Sequence, residues 1–538
     1  MTLTFATEEF SPDERATLER HFTNLEGPVF ALVNLPEAVK GALFARYSRT
    51  TKSLRRLFLD EFAEETEALG SAPTATVGSE RAARLYENVF VEYGDDSVAQ
   101  LGGVHLACEQ SSQLLAKALE WGRLAAYLEQ STRYMRYDDR PGGAWRATVP
   151  PELAGTPLAD RYVAFLDEVF TTYGRMYEPM ETYFKQRFPK EEGDSDFVYR
   201  QTMLAKTCDT LRVLLPAGTR SNLGIYATGQ SYEQLLMRLA VHPLAEMREV
   251  GDLMLVELRK VIPEFLKRVD VAERGVAWSA YWQANHERVE ALTARVLEDV
   301  KPEAREEVKL VDHDPDGELK ITAAVLYASS DLPDDQLLSL ARSMTPEQRN
   351  EILRASVGDR GNRRHKPGRA WERTGYRFDV LCDYGAFRDL QRHRPLTIEW
   401  QRLTTEHGFE TPSQIDEARL RSDWDRVMEA SARMEGELLD AGLQDVAQYA
   451  VSMAFRIRFV MQMTAREAMH LTELRSQPAG HPVYRRVAQA MHREIAEVHP
   501  AIAETFTFMS YDEVDLERLE AERRTEQKRK ALKQQPSG

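Results

Sequence analysis

The sequence predicts an α+β protein in which helices pack on a modest amount of sheet. Three observations support this fold class: most of the chain has helical periodicity, a few short runs have the composition of strands, and one pattern of motifs occurs twice. The 538 residues are enough for two or more domains, and 43% hydrophobic with 29% charged residues is an ordinary globular balance.

Two long segments, 157–188 and 413–443, have hydrophobic residues at the three- and four-residue steps of an amphipathic helix. Before the first, Thr156 is a suitable N-cap with a proline after it, and Pro179 should kink or end the helix. Its apolar stripe consists of Tyr162, Phe165, Leu166, Val169, Phe170, Tyr173, Met176 and Tyr177. We interpret both stripes as core rather than as ligand sites.

Short runs rich in β-branched and aromatic residues are candidate strands, at 28–35, 320–329 and 376–385. A charged, proline-containing stretch over 300–319 has little apolar content, and we interpret it as a linker.

The linker divides the chain into halves. The first half covers 1–299 and the second half covers 320–511, followed by a charged, helical and solvated tail over 512–538.

The composition excludes several classes of protein. A formal net charge of −16 disfavours a general nucleic-acid binder, although arginine clusters in an acidic chain suggest small anionic ligands at defined places. Three cysteines and twelve histidines form no disulfide framework and no metal-ligand spacing, so we expect no metal site. No apolar run approaches the roughly 20 residues of a membrane helix, and the acidic N-terminus has no signal core, so we expect a cytoplasmic protein.

The two halves contain an internal repeat. The stretch WGRLAAYLEQSTRY, residues 121–134, can be laid over RHRPLTIEWQRLTT, residues 392–405. A downstream block that begins at Cys208 lies over one that begins at Asp445. In this superposition the pairs that meet are Arg238 with Arg475 and His242 with His481.

These segments resemble the flavin-dependent thymidylate synthases (ThyX) over roughly 80–250 and 320–495. The family signature is Arg-His-Arg, then a Ser preceded by Glu and followed by Arg-Tyr, then a later block with Leu-Pro, Asn-Ala-Arg and Leu-Arg. The first half keeps Arg123, Glu129, Ser131, Arg133, Tyr134, Arg212, Arg238 and His242. The second half keeps Arg392, His393, Arg394, Thr464, Ala465, Arg466, Arg475 and His481.

Neither half has the whole signature. The first half has Trp121 and Gly122 where the family has Arg-His, and the second half has Arg402, Thr404 and Gln448 where the nucleotide-binding residues should be. A salt bridge made by Arg402 would fill the second site. Arg238 lies in the half that lacks the flavin residues, so we expect it to be structural or vestigial.

The resemblance implies the following site residues. FAD would be held by Arg392, His393, Arg394, Thr464, Arg466, His470, His481 and Arg123. The nucleotide dUMP would be held by Glu129, Ser131, Arg133, Arg212, Arg392 and Arg475. We assign no catalytic side chain, and no cysteine nucleophile is required.

The resemblance also implies a fold and a reaction. Each half would be a ThyX-like unit of helices on a small antiparallel sheet, the two units would form a pseudo-dimer, and a homodimer of the chain would imitate the family tetramer. At one composite site the protein would convert dUMP to dTMP with methylenetetrahydrofolate and NADPH. Two alternatives stay open: a flavin- and nucleotide-binding protein without synthase activity, with a regulatory or assembly role, and a flavoenzyme that acts on another pyrimidine.

Overall fold

The structure is a computed structural model that describes residues 8–26, 30, 32–37, 39–40, 43–44, 52–63 and 100–534. Up to residue 300 its elements are α1 (Pro12–Glu19), α2 (Leu54–Glu61), β1 (Gly103–Ser112), α3 (Gln113–Leu119), β2 (Ala125–Glu129), α4 (Pro157–Arg187), α5 (Asp196–Leu211), β3 (Arg220–Thr228), α6 (Gly229–Ala240), α7 (Ala245–Leu258) and α8 (Ala277–Val296). They are followed by β4 (Val308–His313), α9 (Gly317–Tyr327), α10 (Asp334–Ser343), α11 (Pro346–Val357), β5 (Gly375–Asp383), α12 (Tyr384–Leu390), β6 (Leu396–Trp400), α13 (Ser413–Glu417), α14 (Arg421–Asp440), α15 (Gln444–Ala447), β7 (Arg456–Thr464), α16 (Ala465–Arg475), α17 (Pro482–Val498), α18 (Pro500–Ala503) and α19 (Leu519–Gln534). The α+β fold class is therefore confirmed.

The chain divides into two compact units that do not coincide with the halves. The smaller unit consists of residues 1–109, 124–129 and 222–300. The larger unit consists of residues 110–123, 130–221 and 301–538, so it draws on both halves of the sequence.

The smaller unit contains most of a three-stranded sheet with the order β1-β3-β2. Strands β2 and β3 are antiparallel, with Ala125 opposite Ala227 and Glu129 opposite Leu223. Helix α7 packs on α6, where a Cβ on Gly251 would lie 3.0 Å from the Cβ of Leu239. This close approach favours glycine at that position.

The larger unit contains a four-stranded antiparallel sheet with the order β4-β5-β7-β6. Along β7 the buried residues alternate with more exposed ones, as expected for a strand with one face on the core. Helix α17 packs against β4 and β5. The apolar stripe of α17 consists of Val483, Val487, Met491 and Ile495.

The repeat is visible in the order of the elements. Ser112 and Asp383, whose numbers differ by 383 − 112 = 271, each cap a helix of seven residues, α3 and α12. Their side chains accept hydrogen bonds from the third backbone amides of the helices, at 3.0 Å from Leu115 and 2.7 Å from Ala386. Such caps satisfy amides that have no partner inside the helix.

The downstream parts of the halves correspond at another offset. Thr228 and Thr464 cap α6 and α16 after nine-residue strands, and 464 − 228 = 236. The two offsets agree with a duplicated unit whose first copy carries an insertion.

Equivalent backbone segments pair with each other inside the larger unit. The amide of Ala217 donates to the carbonyl of Val451 at 2.8 Å, and the amide of Met453 donates to the carbonyl of Leu215 at 2.9 Å. The two donors, at 217 and 453, are 236 residues apart, and so are the two acceptors, at 215 and 451. Each half therefore gives the other the same hydrogen bond that it receives. The two segments are thus related by a local two-fold axis, as the segments of a symmetric dimer would be.

Two of the strand predictions have clear outcomes. The strand at 376–385 is confirmed as β5, but the strand at 320–329 is wrong because these residues lie in helix α9 and the turn after it. Periodicity does not separate strand from helix in a short apolar run, and the three alanines here favour a helix. The candidate at 28–35 lies partly outside the described residues, and within it Leu32 forms an isolated bridge with Phe22.

The predicted start of α4 is correct, but its chemistry differs. Thr156 is the N-cap residue, yet its hydroxyl donates to the carbonyl of Leu153 at 2.8 Å and does not cap the helix. Pro179 does not end α4, which continues to Arg187.

Residues in the predicted linker and tail are ordered parts of the larger unit. Strand β4 lies within 300–319 and pairs with β5. In the tail, α19 packs against α5. In the part of the chain that the structure describes, no helix combines the length and apolar character needed to cross a membrane.

The three cysteines are buried and form no disulfide. Burial raises the pKa of the Cys108 thiol to about 11 and that of Cys208 to about 12. Thiols of this kind are poor nucleophiles at neutral pH.

Candidate functional site

Four arginines converge on two aspartates inside the larger unit. We call this set the arginine cluster; it comprises Arg133, Arg212, Arg392, Arg475, Asp209 and Asp389. Two of the arginines come from the first half of the chain and two from the second. The four guanidinium groups outnumber the two carboxylates, which leaves the cluster with excess positive charge.

Asp389 is the common partner of the four arginines. Its carboxylate lies 3.5 Å from Arg475 Nη1, 3.6 Å from Arg133 Nη2, 3.8 Å from Arg392 Nη1 and 3.9 Å from Arg212 Nη2. Burial alone would raise the pKa of Asp389, but these guanidinium groups outweigh burial and hold the pKa below its usual range. Asp389 is therefore ionised at neutral pH.

Asp209 holds the two arginines of the first half. Its Oδ1 lies 2.9 Å from Arg212 Nε and 3.2 Å from Arg133 Nε, and its Oδ2 lies 3.0 Å from Nδ1 of His481. Asp209 and Arg212 are three residues apart at the end of α5, a spacing that places them on one face. Burial opposes ionisation of Asp209, yet Arg133, His481 and Arg212 hold its pKa well below the ordinary value.

Arg212 retains unused donors. Its Nη1 donates to Thr132 Oγ1 at 3.0 Å, whereas its buried Nε and Nη2 have no hydrogen bond of good geometry among the described residues. Only 5% of its side chain is exposed, and burial lowers its pKa. Buried donors without well-formed hydrogen bonds are costly, so this arginine is suited to an anionic ligand.

Tyr484 of α17 completes one wall of the cluster. Its hydroxyl accepts a hydrogen bond from Arg133 Nη2 at 3.2 Å. The guanidinium carbons of Arg133 and Arg475 lie 5.6 Å and 5.3 Å from the centre of its ring. The ring fixes the orientation of both arginines through cation–π contacts.

A buried histidine adjoins the cluster. His393 lies between two groups: Arg475 Nε donates to its Nε2 at 3.0 Å, and its Nδ1 lies 2.9 Å from Glu467 Oε1. Because arginine can only donate, Nε2 is the acceptor and Nδ1 carries the proton. Burial and then the charge of Arg475 lower the pKa of His393 well below its usual range, so the ring is neutral.

His470 and Glu467 share this pocket. The rings of His393 and His470 lie 5.5 Å apart, and burial lowers the pKa of His470 to about 4. Burial raises the pKa of Glu467 to about 7. Ligand atoms of these three residues lie within 4.8 Å of one another, which is a spacing that a metal ion could bridge.

The surrounding charges oppose a metal cation at this place. Lys366, Arg363, Arg475 and Arg466 all act to lower the pKa of His470. A pocket with two neutral imidazoles and a cationic surround favours an anionic ligand.

The remaining residues predicted for flavin have separate roles in the structure. Arg394 is exposed, and exposed Arg123 donates to Thr397 Oγ1 at 3.0 Å. Thr464 caps α16, while Arg466 donates to the carbonyl of Pro367 at 2.8 Å.

The predicted nucleotide residues are only partly assembled in the cluster. Arg133, Arg212, Arg392 and Arg475 are brought together with His481, whereas Ser131 is exposed. Glu129 is buried at the end of β2 and belongs to the smaller unit.

Sequence reasoning missed Asp209, Asp389 and Tyr484. Each aspartate precedes an arginine of the cluster by three residues, which is the spacing of an ion pair on a helix, and this spacing could have identified them. Tyr484 carried no comparable signal.

The second half contains a counterpart of this arrangement at the same offsets. We call it the counterpart cluster: Arg402, Thr404, Asp445 and Gln448 stand where the first half has Ser131, Arg133, Asp209 and Arg212. Arg402 Nε lies 2.8 Å from Asp445 Oδ1, and Gln448 Oε1 accepts from the amide of Leu403 at 3.1 Å. In the counterpart cluster, the side chains of Arg402 and Gln448 are thus paired with other groups of the protein.

Comparisons with known proteins agree with this duplicated architecture. A model of the family described as thymidylate synthase complementing protein (Thy1) matches residues 42–264 and 309–501. A UPF0159 protein of Chlamydia muridarum (strain MoPn / Nigg) is 39% identical over 521 residues, covering 96% of this chain and 98% of the relative. A UPF0159 protein of Thermoplasma acidophilum is 28% identical over 511 residues, covering 90% and 97%.

Among solved structures, the UMP/dUMP methylase PolB from Streptomyces cacaoi bound with 5-Br dUMP is 20% identical with a TM-score of 0.30, covering 38% of this chain and 94% of PolB. The family match covers both halves and most of the chain. The chain belongs to the thymidylate synthase complementing protein family, and it carries the family unit twice in tandem.

Proposed function

We propose that this protein is a flavin-dependent thymidylate synthase-like methyltransferase that converts dUMP to dTMP at one composite site per chain. Methylenetetrahydrofolate would donate the carbon and NADPH the reducing equivalents. The observation that carries the proposal is the arginine cluster, in which Arg133 and Arg212 of the first half meet Arg392 and Arg475 of the second.

The cluster suits the phosphate of a nucleotide monophosphate. A phosphate monoester carries nearly two negative charges at neutral pH, which matches the excess of two positive charges in the cluster. The Nη2 of Arg212, which has no hydrogen bond among the described residues, can donate to a phosphate oxygen. Asp209 and Asp389 would hold the four guanidinium groups in place before the ligand arrives.

The neighbouring pocket suits an anionic cofactor. Lys366, Arg363 and Arg466 lie near the neutral ring of His470, so a dinucleotide with a pyrophosphate would find cations and uncharged imidazoles together. When bound there, FAD would supply the redox chemistry of methyl formation. The chain would supply binding and orientation through His393, which keeps a fixed tautomer between Arg475 and Glu467.

The test is made on the purified full-length chain. We expect a flavin absorbance spectrum that shifts on titration with dUMP, at one dUMP per chain. We also expect release of tritium from C5-labelled dUMP when methylenetetrahydrofolate and NADPH are added. Absence of flavin and of any dUMP-induced spectral change would contradict the proposal.

The same experiment distinguishes the alternatives. Flavin and dUMP binding without tritium release would support a nucleotide-binding flavoprotein that has lost synthase activity. Turnover with another pyrimidine nucleotide, but not with dUMP, would support a flavoenzyme of different specificity, because a fold does not fix a reaction.

We further propose that two chains form a homodimer that imitates a tetramer of single family units. The local two-fold pairing of residues 215–217 with 451–453 supports the idea that one chain already contains a pair of units. Light scattering coupled to size-exclusion chromatography should give twice the 61.5 kDa chain mass, and a monomer would contradict this assignment.

A further inference from the structure

The C-terminal segment, residues 512–534, lies beyond the family match, which ends at residue 501. Its helix α19 packs against α5, the helix that carries Asp209. Arg523 fastens α19 through ion pairs of 2.7 Å with Asp194 and with Glu191, near the start of α5. The segment is thus attached to the element that delivers part of the arginine cluster.

One contact of this segment is buried. Glu517 Oε1 lies 2.7 Å from Lys206 Nζ, and the side chains are only 6% and 8% exposed. A buried charge that loses its partner is strongly unfavourable, so each of these residues depends on the other.

Lys206 also has a second possible partner. It precedes Asp209 by three residues on α5, so both side chains project from one face of the helix. The pKa of Glu517 is raised, mainly by burial, and Lys206 opposes this rise. The negative charge of Asp209 adds to the rise, so Asp209 lies close enough to Glu517 to act on it electrostatically. Besides Glu517, Lys206 therefore has a second carboxylate on its own helix face toward which its ammonium group could turn.

The segment also touches the residue after Arg133. Tyr134 donates its hydroxyl to Glu522 Oε1 at 3.4 Å. On the same side, the guanidinium carbon of Arg518 lies 5.4 Å from the centre of the Tyr134 ring. The segment therefore contacts both first-half components of the cluster, α5 and the loop of Arg133.

We infer that Glu517, within the segment of residues 512–534, is a positioning residue of the arginine cluster: it engages Lys206 and so leaves Asp209 to Arg133, Arg212 and His481. Without Glu517, Lys206 would turn to Asp209 and draw its carboxylate from the arginines. The nucleotide phosphate as ligand rests on the proposed function, but the competition between the two carboxylates does not.

The first test measures dUMP affinity by equilibrium titration. Glu517→Gln keeps the side-chain shape, and we expect roughly tenfold weaker binding, the size typical of residues that share one ion-pair network. Flavin content should stay unchanged. In the double variant Glu517→Gln/Lys206→Met the competing ammonium is absent, so affinity should return toward that of the wild type.

Arg523→Ala is the matched control. It removes an anchor of the same C-terminal segment, but in helix α19 and near the start of α5, so it should lower thermal stability and leave dUMP affinity unchanged. An equal loss of affinity in Arg523→Ala, or no recovery in the double variant, would show that the segment only stabilises the fold.

A second measurement needs no ligand. Denaturant unfolding of Glu517→Gln, Asp209→Asn and the double variant gives the coupling between these two residues. We expect Asp209→Asn to be more destabilising in the Glu517→Gln background, where Lys206 has turned to Asp209. Additive effects would overturn the inference, whereas failure of the wild type to bind dUMP would count against the proposed function alone.

Discussion

The first-half residues of the arginine cluster and the residues of the counterpart cluster occupy equivalent positions in the two halves, yet their charges are arranged in opposite ways. In the arginine cluster, four cations share two carboxylates, and the buried Nε and Nη2 of Arg212 form no hydrogen bond of good geometry among the described residues. In the counterpart cluster, Arg402 pairs with Asp445, and the neutral Gln448 accepts from a backbone amide.

This difference shows how one copy of a duplicated unit can change the charge of a cluster without losing its fold. The second half has Gln448 where the first half has Arg212, and Thr404 where it has Arg133, so two cations are absent from the second half. The offset in residue number, 448 − 212 = 236, is the same as that between the helix caps Thr228 and Thr464. A buried excess of charge is tolerated where a ligand relieves it, and a balanced set needs no ligand. This imbalance is therefore the physical feature on which the proposed site rests.

The largest effect is expected when Arg212 of the arginine cluster is replaced by glutamine, the residue type at the equivalent position, 448, of the counterpart cluster. Arg212→Gln should weaken dUMP binding by about a hundredfold or more, because a desolvated charge partner of the phosphate is lost. It should also lower the melting temperature, since Asp209 loses a buried partner. Isothermal titration and thermal unfolding measure the two effects.

The reverse exchange is the control for Arg212→Gln. Gln448→Arg should not create a second dUMP site, because Thr404 and Ala118 stand where Arg133 and Asp389 stand in the arginine cluster. The stoichiometry should stay at one dUMP per chain. Two dUMP molecules per variant chain would mean that one residue alone separates the clusters.

A second prediction separates the flavin residues from the nucleotide residues. Arg394→Ala should lower flavin affinity by about tenfold, the loss expected for one charge-assisted hydrogen bond, and should leave the dUMP phosphate contacts intact. Arg133→Ala should have the opposite pattern, with flavin retained and dUMP weakened. Loss of both ligands in both variants would argue against a division between the halves.

Much of the fold could be predicted because it depends on local signals. The strand at 376–385 is encoded by β-branched residues, and the repeat predicted the correspondence of β2 with β6. The stripe over 413–443 predicted helix correctly, but it forms two helices, α13 and α14, with a break at 418–420. The run at 320–329 could not be assigned in this way, because its six central apolar or small residues suit either structure.

The site was less predictable, because a shift of one residue changes the face of a helix. Sequence superposition placed Arg238 over Arg475, but Arg238 lies 238 − 228 = 10 residues after its N-cap and Arg475 lies 475 − 464 = 11 residues after its own. One residue rotates a side chain by about 100° around the axis. The cap residues, not the arginines, are the reliable landmarks of the repeat.

A third prediction concerns pH. Glu467 has a folded-state pKa of about 7, above its ordinary value of 4.5, so the folded state binds more protons than the unfolded state between these values. Its contribution to stability is therefore present below about pH 4.5 and is lost as pH rises toward 7. Its first-half equivalent, Ser231, has no such titration.

Glu467→Gln should remove the loss of stability between pH 4.5 and 7, because glutamine does not titrate. Its amide oxygen can still accept the hydrogen bond from His393 Nδ1. The difference in unfolding free energy between variant and wild type should change by roughly 3 kcal/mol between pH 4.5 and 7.5. His470 affects stability in the opposite direction: its folded-state pKa of about 4 makes stability fall as pH drops below 6.5. This contribution is common to variant and wild type, so it cancels in their difference. A pH-independent difference would mean that Glu467 titrates normally.

The smallest effect is expected where the counterpart cluster is disturbed. Arg402→Ser restores the residue type that the first half has at Ser131 and removes the ion pair with Asp445, whose partners are 42% and 29% exposed. Pairs this exposed contribute less than about 1 kcal/mol, so the melting temperature should fall only slightly, and flavin and dUMP binding should be unchanged. If Arg402→Ser weakened either ligand, Arg402 would belong to a working site, and the charge balance of the counterpart cluster would have to be explained by a ligand that it still binds.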